Sequence, residues 1–425
     1  MRTYDVAVAG ASVAGCSAAI LLARQGLSVA LLERSPDPGA YKKLCTHYIQ
    51  SSALPVIERL GLAPLLEEAG AVRNAIDVRT RWGWVREPAA EAGRPAHGYN
   101  VRRATLDPLL RGLAARTPGI DLRPGHTVTG LLGERGRVGG LRAQDASGAA
   151  VDFAARLVVG ADGRFSRVAE LAGIEGRASP NGRFFYLAPY RGLTPPDGRS
   201  RMWFLEPDIA YTFPNDDGIT VVAVAPAKAR LETFKADREG AFARFVRALP
   251  DGPDLDRAVR AGPMMGFVDW PNLARAPVQA GLALVGDAAL SVDPVWGTGC
   301  AFAFRSADWL AEQAGPALAG AGGAAALRAG LGAYARRHRA ELAGHALHIR
   351  DFAAGRPWRW PERLLFSAAA LDESCARDLF AYAARNIGLA RFAAPPALLR
   401  AVRVNLAHRL RQGGPRRRAG APALP

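Results

Sequence analysis

The sequence predicts an α/β fold in three parts: a Rossmann-like domain, a mostly antiparallel β-sheet domain that interrupts it, and a C-terminal helical region. Three observations predict it. Residues 4–33 read as strand, glycine turn, helix and strand, about the thirty residues that one βαβ unit needs. From about residue 180 to 266 the texture changes to short strand-like runs carrying aromatic residues. After Ala324 the chain reads as mostly helical, with breaks at Pro357, Pro361 and the pair Pro395-Pro396.

Each element follows from local pattern. Residues 4–9 alternate apolar positions ahead of Gly10, residues 14–25 are apolar on helical spacing and stop at Gly26, and residues 29–32 form a second apolar run ending at Glu33. Residues 103–116 read as a helix, followed by β-like pieces at 126–132, 136–143 and 150–160. Strands are expected at 184–190, 202–205, 210–213 and 220–225. The Rossmann texture returns at 283–285, then a loop, then a helix over 299–318. The expected parts are 1–175 and 276–325 for the Rossmann-like domain, 176–275 for the sheet domain and 326–425 for the helical region, with a basic tail.

Composition narrows the function. At 425 residues the chain can bury a sizeable core, and 49% hydrophobic with 22% charged residues is ordinary globular usage. No run of about 18 apolar residues would span a bilayer, and Asp5, Gly10 and Gly15 argue against a secretory leader. Cys16, Cys45, Cys300 and Cys375 show no CxxC pair and no metal-ligand spacing, so the reading is a reduced, cytoplasmic chain without a metal site. The net charge of +16 is carried almost wholly by arginine, with lysine only at 42, 43, 228 and 235. That reads as compositional bias, not a nucleic-acid surface. The segment from Arg400 to Arg418 is basic and interleaved with apolar residues, which suits peripheral contact with an anionic membrane as well as an ordinary packed helix. Within it, Arg416 to Arg418 sit in a Gly/Pro-rich tail and read as a solvated end.

The strongest chemical signal is Gly10-Ala11-Ser12-Val13-Ala14-Gly15 between strand and helix, with Glu33 23 residues after Gly10 and Arg34 beside it. Gly10 permits the tight turn, and Gly15 lets the helix pack on the strand. The helix N-terminus offers N–H groups to a pyrophosphate, and Glu33 can accept hydrogen bonds from a ribose. Ser12 departs from the usual middle glycine, but it is small and its hydroxyl can donate. Dinucleotide binding follows.

Two later segments, LVVGADGRFSRV at 157–168 and LVGDAALSVDPVWGTG at 284–299, resemble the Asp-Gly and Gly-Asp loops of one flavoprotein superfamily. It contains the para-hydroxybenzoate hydroxylase-type monooxygenases, geranylgeranyl reductases and flavin-dependent halogenases. Alone, Asp162-Gly163 is a common turn and Asp287-Ala288 a helix cap; in order after a βαβ unit they carry the resemblance over most of the first 310 residues. The resemblance implies FAD as cofactor, with NAD(P)H docking transiently as electron donor. Asp287 would bind the ribityl chain, and Pro294 to Gly299, including Gly297 and Thr298, would cover the isoalloxazine. Asp162 would shape the loop near the pyrophosphate, Arg103 would lie near the phosphates, and Val128 would meet the adenine.

Further residues bear on the reaction. Lys42-Lys43-Leu44-Cys45 resembles the Lys-x-Cys segment of geranylgeranyl reductases, which makes Lys43 and Cys45 candidate catalytic residues against the alternative of a solvated loop and an inert thiol. Tyr211 and Phe213 partly match a substrate-domain strand of the same relatives and are candidate substrate contacts, although aromatics in a sheet are more often core. His47 carries no assigned role. His338, His345 and His348 read as helix surface, and Trp358 and Trp360 as packing. The expected function is a single-component monooxygenase, a hydroxylase or epoxidase acting on an aromatic or polyene hydrophobic small molecule through a C4a-hydroperoxyflavin. The rivals are carbon-carbon double-bond reduction, halogenation, and non-catalytic FAD binding.

Overall fold

The computed structural model describes residues 2–89, 97–134, 136–195 and 197–412. In chain order the elements that frame the site begin with β1 (Arg2–Ala9), α1 (Val13–Ala23), β2 (Val29–Glu33), β3 (Ile76–Thr80), β4 (Gly83–Arg86), α2 (Arg103–Arg116) and β5 (Ile120–Pro124). There follow β6 (Thr127–Glu134), β7 (Arg137–Gln144), β8 (Ala150–Gly160), β9 (Phe185–Arg191), β10 (Ser200–Leu205), β11 (Asp208–Pro214) and β12 (Ile219–Ala225). The chain continues through α3 (Arg238–Arg247), β13 (Leu282–Leu284), α4 (Gly299–Ala319), α5 (Gly323–Ala353), α6 (Trp360–Ala369), α7 (Glu373–Ala383) and α8 (Pro395–Gln412).

The first sheet runs β13-β8-β1-β2-β5, all parallel, with the β6–β7 hairpin added antiparallel to β8. In their carboxyl halves, residues 6–9 and 157–160, β1 and β8 are buried and continuously apolar, as parallel strands covered on both faces are. Strand order reverses between β1 and β8, which opens a crevice at their carboxyl ends. This is the Rossmann-like α/β fold expected.

The second sheet has the order β9-β12-β11-β10-β3-β4 and is antiparallel except where β10 runs parallel to β3. Two of its strands, β3 and β4, come from residues the sequence reading had grouped with the Rossmann-like part. One face of this sheet joins the main core through Phe185, Tyr211 and Phe213, and the other packs Trp203 and Phe184 against Phe234 and Phe242.

From Gly299 to Gln412 the described chain is helical, but its histidines are not surface residues. His338, His345 and His348 on α5 are all buried. They face inward because α5 packs on α4 and on the loop before it: Tyr334 Oη donates to the Leu284 carbonyl at 2.7 Å, and the His348 ring lies 5.4 Å from that of Trp296. Trp358 is buried as expected, whereas Trp360 is 68% exposed. Residues 413–425, with Arg416 to Arg418, lie outside the described residues. Among the described residues no helix is long and apolar enough to cross a membrane, and no group of three His, Cys, Asp or Glu side chains is placed to hold a metal ion.

Candidate functional site

A cleft of about 900 Å³ starts at the crevice between β1 and β8 and runs from the end of β2 to the start of α4. Its floor is the β1–α1 turn. Gly10 has φ of 99°, and a Cβ there would stand 2.7 Å from the Ala161 carbonyl oxygen; a Cβ on Gly15 would fall 1.7 Å from the Gly10 carbonyl oxygen. Only glycine at both positions lets the helix meet the strand this closely. No side chain caps α1, so its first N–H groups are open to an anion. The Ser12 hydroxyl does not cap the helix; it accepts a hydrogen bond from Arg103 Nη2 at 2.5 Å.

Arg103 is buried and paired with Asp107 at 2.7 Å. Burial works against its charge, but the Asp107 carboxylate outweighs it and the guanidinium pKa is raised. Asp107 also accepts the Lys42 backbone N–H at 3.0 Å, so one carboxylate fixes both Arg103 and the loop carrying Lys42 to Cys45. The sequence alone assigns Asp107 no role. Its signal was the i, i+4 spacing from Arg103 on one helix. His47, with φ of 59°, accepts the Arg103 backbone N–H on Nδ1 at 3.1 Å and so closes the N-terminus of α2.

Glu33 accepts from the Ala11 and Ser35 N–H groups, each at 3.0 Å, and ties the end of β2 to the glycine turn. Arg34 and Val128 also line the cleft, and Ser12 and Ala14 line its floor. Asp162 accepts from Ser166 Oγ at 2.6 Å and from the Val168 N–H at 3.0 Å, which folds the Asp-Gly loop against the cleft wall. Across the cleft, Asp287 accepts from Lys42 Nζ at 2.7 Å. Burial acts against the Lys42 charge, but Asp287 prevails and the ammonium pKa is raised.

At the far end, Pro294–Trp296 forms a single 3₁₀ turn that Gly297 ends with φ of 62°, and α4 starts at Gly299 without a capping side chain. Thr298 Oγ1 is buried and has no hydrogen-bond partner among the described residues. Cys45 and Cys300 meet here. Interaction with the Cys300 thiol holds the Cys45 pKa below the ordinary thiol value, and interaction with Cys45, together with burial, raises that of Cys300. Lys43 instead sits over the Tyr41 ring, 3.5 Å from its centroid, at the exposed edge of the cleft.

Tyr211 and Phe213 are corrected as candidate substrate contacts. They stack on each other at 4.2 Å inside the core and do not line the cleft, because β11 is an interior strand whose large side chains are covered by neighbours. Among the aromatic residues that do reach it are Phe185, Phe267 and Trp270, with Phe185 and Phe267 stacked at 5.3 Å. Arg164 lies 4.7 Å over the Trp270 ring and donates to Ser291 Oγ at 3.2 Å; burial holds its pKa below the usual guanidinium value. Sequence reading missed these four. Arg164 follows Asp162-Gly163 directly and was legible, whereas nothing local distinguishes Trp270.

The arrangement fits FAD. One uncapped helix N-terminus lies on the floor of the long cleft and a second at its far end, glycine backbone lines it, and the orphaned Thr298 hydroxyl lies beside the second N-terminus. Residues 3–341 match the FAD binding domain family. Kynurenine 3-monooxygenase of Salinispora arenicola is 30% identical over 335 residues, covering 73% of this chain and 72% of that protein. Digeranylgeranylglycerophospholipid reductase of Thermoplasma acidophilum is 24% identical over 322 residues, covering 73% and 78%. Among solved structures, a flavin-dependent brominase superposes with a TM-score of 0.77 at 19% identity, over 96% of this chain and 100% of that one. The p-nitrophenol 4-monooxygenase of Pseudomonas putida gives 0.72 at 18% identity, over 92% and 100%. With a glycine turn, an Asp-Gly loop and a Gly-Asp loop meeting in one cleft, the chain belongs to the FAD binding domain family and is an FAD-dependent oxidoreductase of the monooxygenase superfamily.

Proposed function

We infer that this protein is a single-component monooxygenase that takes electrons from NADH or NADPH and inserts oxygen into an aromatic or polyene hydrophobic small molecule. The observation that carries the reading is the apolar end of the cleft, where Phe185, Phe267, Trp270, Leu290 and Val292 gather beside the Pro294–Gly299 loop. An electron-rich, water-poor substrate suits such a lining. FAD, when bound, supplies the acceptance of a hydride and the activation of oxygen.

The protein's own residues would bind, orient and exclude water. The α1 N-terminus would hold the pyrophosphate, Glu33, Arg34 and Val128 the adenosine end, and Asp287 the ribityl chain. The α4 N-terminus and Thr298 would stabilise negative charge that reduction leaves on the ring system. Arg164, cationic and stacked on Trp270, would attract an anionic or electron-rich group of the substrate or the nicotinamide donor.

Cys45 and Lys42 in the cleft favour a second reading, reduction of a carbon-carbon double bond, which the reductase of Thermoplasma acidophilum also supports. The discriminating experiment mixes purified FAD-loaded protein with NADH or NADPH, a panel of aromatic and polyene compounds and isotopically heavy oxygen. Heavy oxygen in a product, with oxygen uptake stimulated by that compound, is the expected result. A product that gains two hydrogens without consuming oxygen would overturn it in favour of the reductase.

A further inference from the structure

The last described helix turns the wrong face outward for a protein surrounded only by water. On α8 the residues Leu398, Ala401, Val404 and Asn405 point inward; Ala401 is fully buried, Leu398 and Val404 pack against the core, and Asn405 Nδ2 donates to the Leu364 carbonyl of α6 at 3.2 Å. Directly opposite, at i, i+7 and i+11, stand Leu399, Leu406 and Leu410, exposed by 59%, 52% and 77%. Single exposed leucines are ordinary, but three in one line on one helix face are not. Trp360, also exposed, opens α6, the helix on which α8 packs.

Charge says what covers this stripe. Arg403 lies within it, Arg400 and Arg411 on one flank, Arg409 on the other, and α8 carries no acidic residue. Arg400 is engaged by Asp378 at 2.9 Å, whereas Arg403, Arg409 and Arg411 have no carboxylate partner among the described residues. Two copies of α8 packed face to face would bring like charges together with nothing to neutralise them. An anionic bilayer surface meets both demands: leucines enter the acyl boundary while arginine stems run along it and their guanidinium groups reach the phosphates.

We propose that α8 is an interfacial helix that docks the protein on anionic lipid bilayers through Leu399, Leu406 and Leu410, with Arg403, Arg409 and Arg411 contacting the headgroups. The flavin cleft is untouched by this surface, so docking and flavin binding are separable.

The test is vesicle flotation of the full-length, FAD-loaded protein. Wild type should float with phosphatidylglycerol-rich vesicles, weakly or not at all with pure phosphatidylcholine, and less as salt rises. The triple change Leu399→Ser, Leu406→Ser, Leu410→Ser should lower the partition coefficient by roughly tenfold or more, and Arg403→Gln, Arg409→Gln, Arg411→Gln should remove the preference for anionic lipid. Both variants should keep wild-type flavin content and melting temperature, because the altered side chains are exposed. The proposal is overturned if wild type does not float with anionic vesicles, or if the leucine variant floats as wild type does. It is also overturned if light scattering shows a wild-type dimer that the leucine variant abolishes, which would assign the stripe to a second copy.

Discussion

At the scale of single residues, two positions make sharp demands. Gly15 has no room for a side chain: a Cβ would press on the Gly10 carbonyl, which is backbone and has no rotamer to escape into. Gly15→Ala should therefore push α1 off the strand, costing about 1–3 kcal/mol of stability, and reduce FAD retained on purification. A melting curve and the ratio of flavin to protein absorbance check it; unchanged values for both would refute the close-packing account. Cys45 makes the second demand. Its lowered pKa, set first by the Cys300 thiol, means more thiolate near neutral pH than at Cys16 or Cys375, where burial raises the pKa. In flavin-free protein Cys45 should be the first cysteine alkylated by iodoacetamide, FAD should protect it, and Cys300→Ala should slow it several-fold. Peptide mass spectrometry reads the order of labelling, and equal labelling of Cys45 and Cys375 would contradict the assignment.

Among elements, the Pro294–Gly299 loop is held less by its own sequence than by a buried ion pair beneath it. Arg183 Nη2 donates to Asp293 Oδ2 at 2.8 Å, both side chains fully buried, and Asp293 Oδ1 accepts the Val295 N–H at 3.1 Å. The same guanidinium lies 4.7 Å over the Phe352 ring of α5, so one residue ties the second sheet, the loop and the helical region together. Removing either partner leaves the other charge buried and alone: Arg183→Met or Asp293→Ala should cost about 3–5 kcal/mol and weaken FAD binding. Urea titration with flavin fluorescence tests this, and a loss under 1 kcal/mol would sink it. This pair also shows where sequence reading ends. The βαβ unit and α2 were legible because local periodicity and glycine positions specify them within thirty residues. Arg183 and Asp293 are 110 residues apart and meet only through tertiary packing. The recruitment of β3 and β4 to the second sheet was hidden for the same reason: strand alternation says that a strand exists, not which sheet receives it. Phe185 was placed in a strand correctly, but which aromatic faces the cleft depends on which strand face the core covers.

Across the whole molecule, α5 joins the Rossmann-like sheet to the Pro294–Gly299 loop, and the titration of its histidines reaches both. Burial lowers the pKa of His338 to about 4; burial first, then Arg385 and Arg305, lowers that of His345 to about 3. His345 Nδ1 faces Arg385 Nη1 at 3.3 Å, so a proton on that nitrogen would oppose a guanidinium. Both rings are thus neutral in the fold, while in the unfolded chain they take up protons near pH 6.5. The unfolded state binds more protons below that pH, so the stability is complete above about pH 6.5 and falls as pH drops toward the folded values. Each group accounts for a loss on the order of 2–3 kcal/mol by pH 4. Glutamine keeps the acceptor and polarity without the proton, so His338→Gln with His345→Gln should flatten the dependence of unfolding free energy on pH between about 6.5 and 4. The comparison is best made by urea titration across that range, with flavin release followed in the same samples. Because α5 braces the loop through His348, Phe352 and Trp296, flavin release in wild type should begin at the pH where stability starts to fall, and the double variant should delay both together. Parallel stability curves for variant and wild type would show that the buried histidines do not set the acid limit.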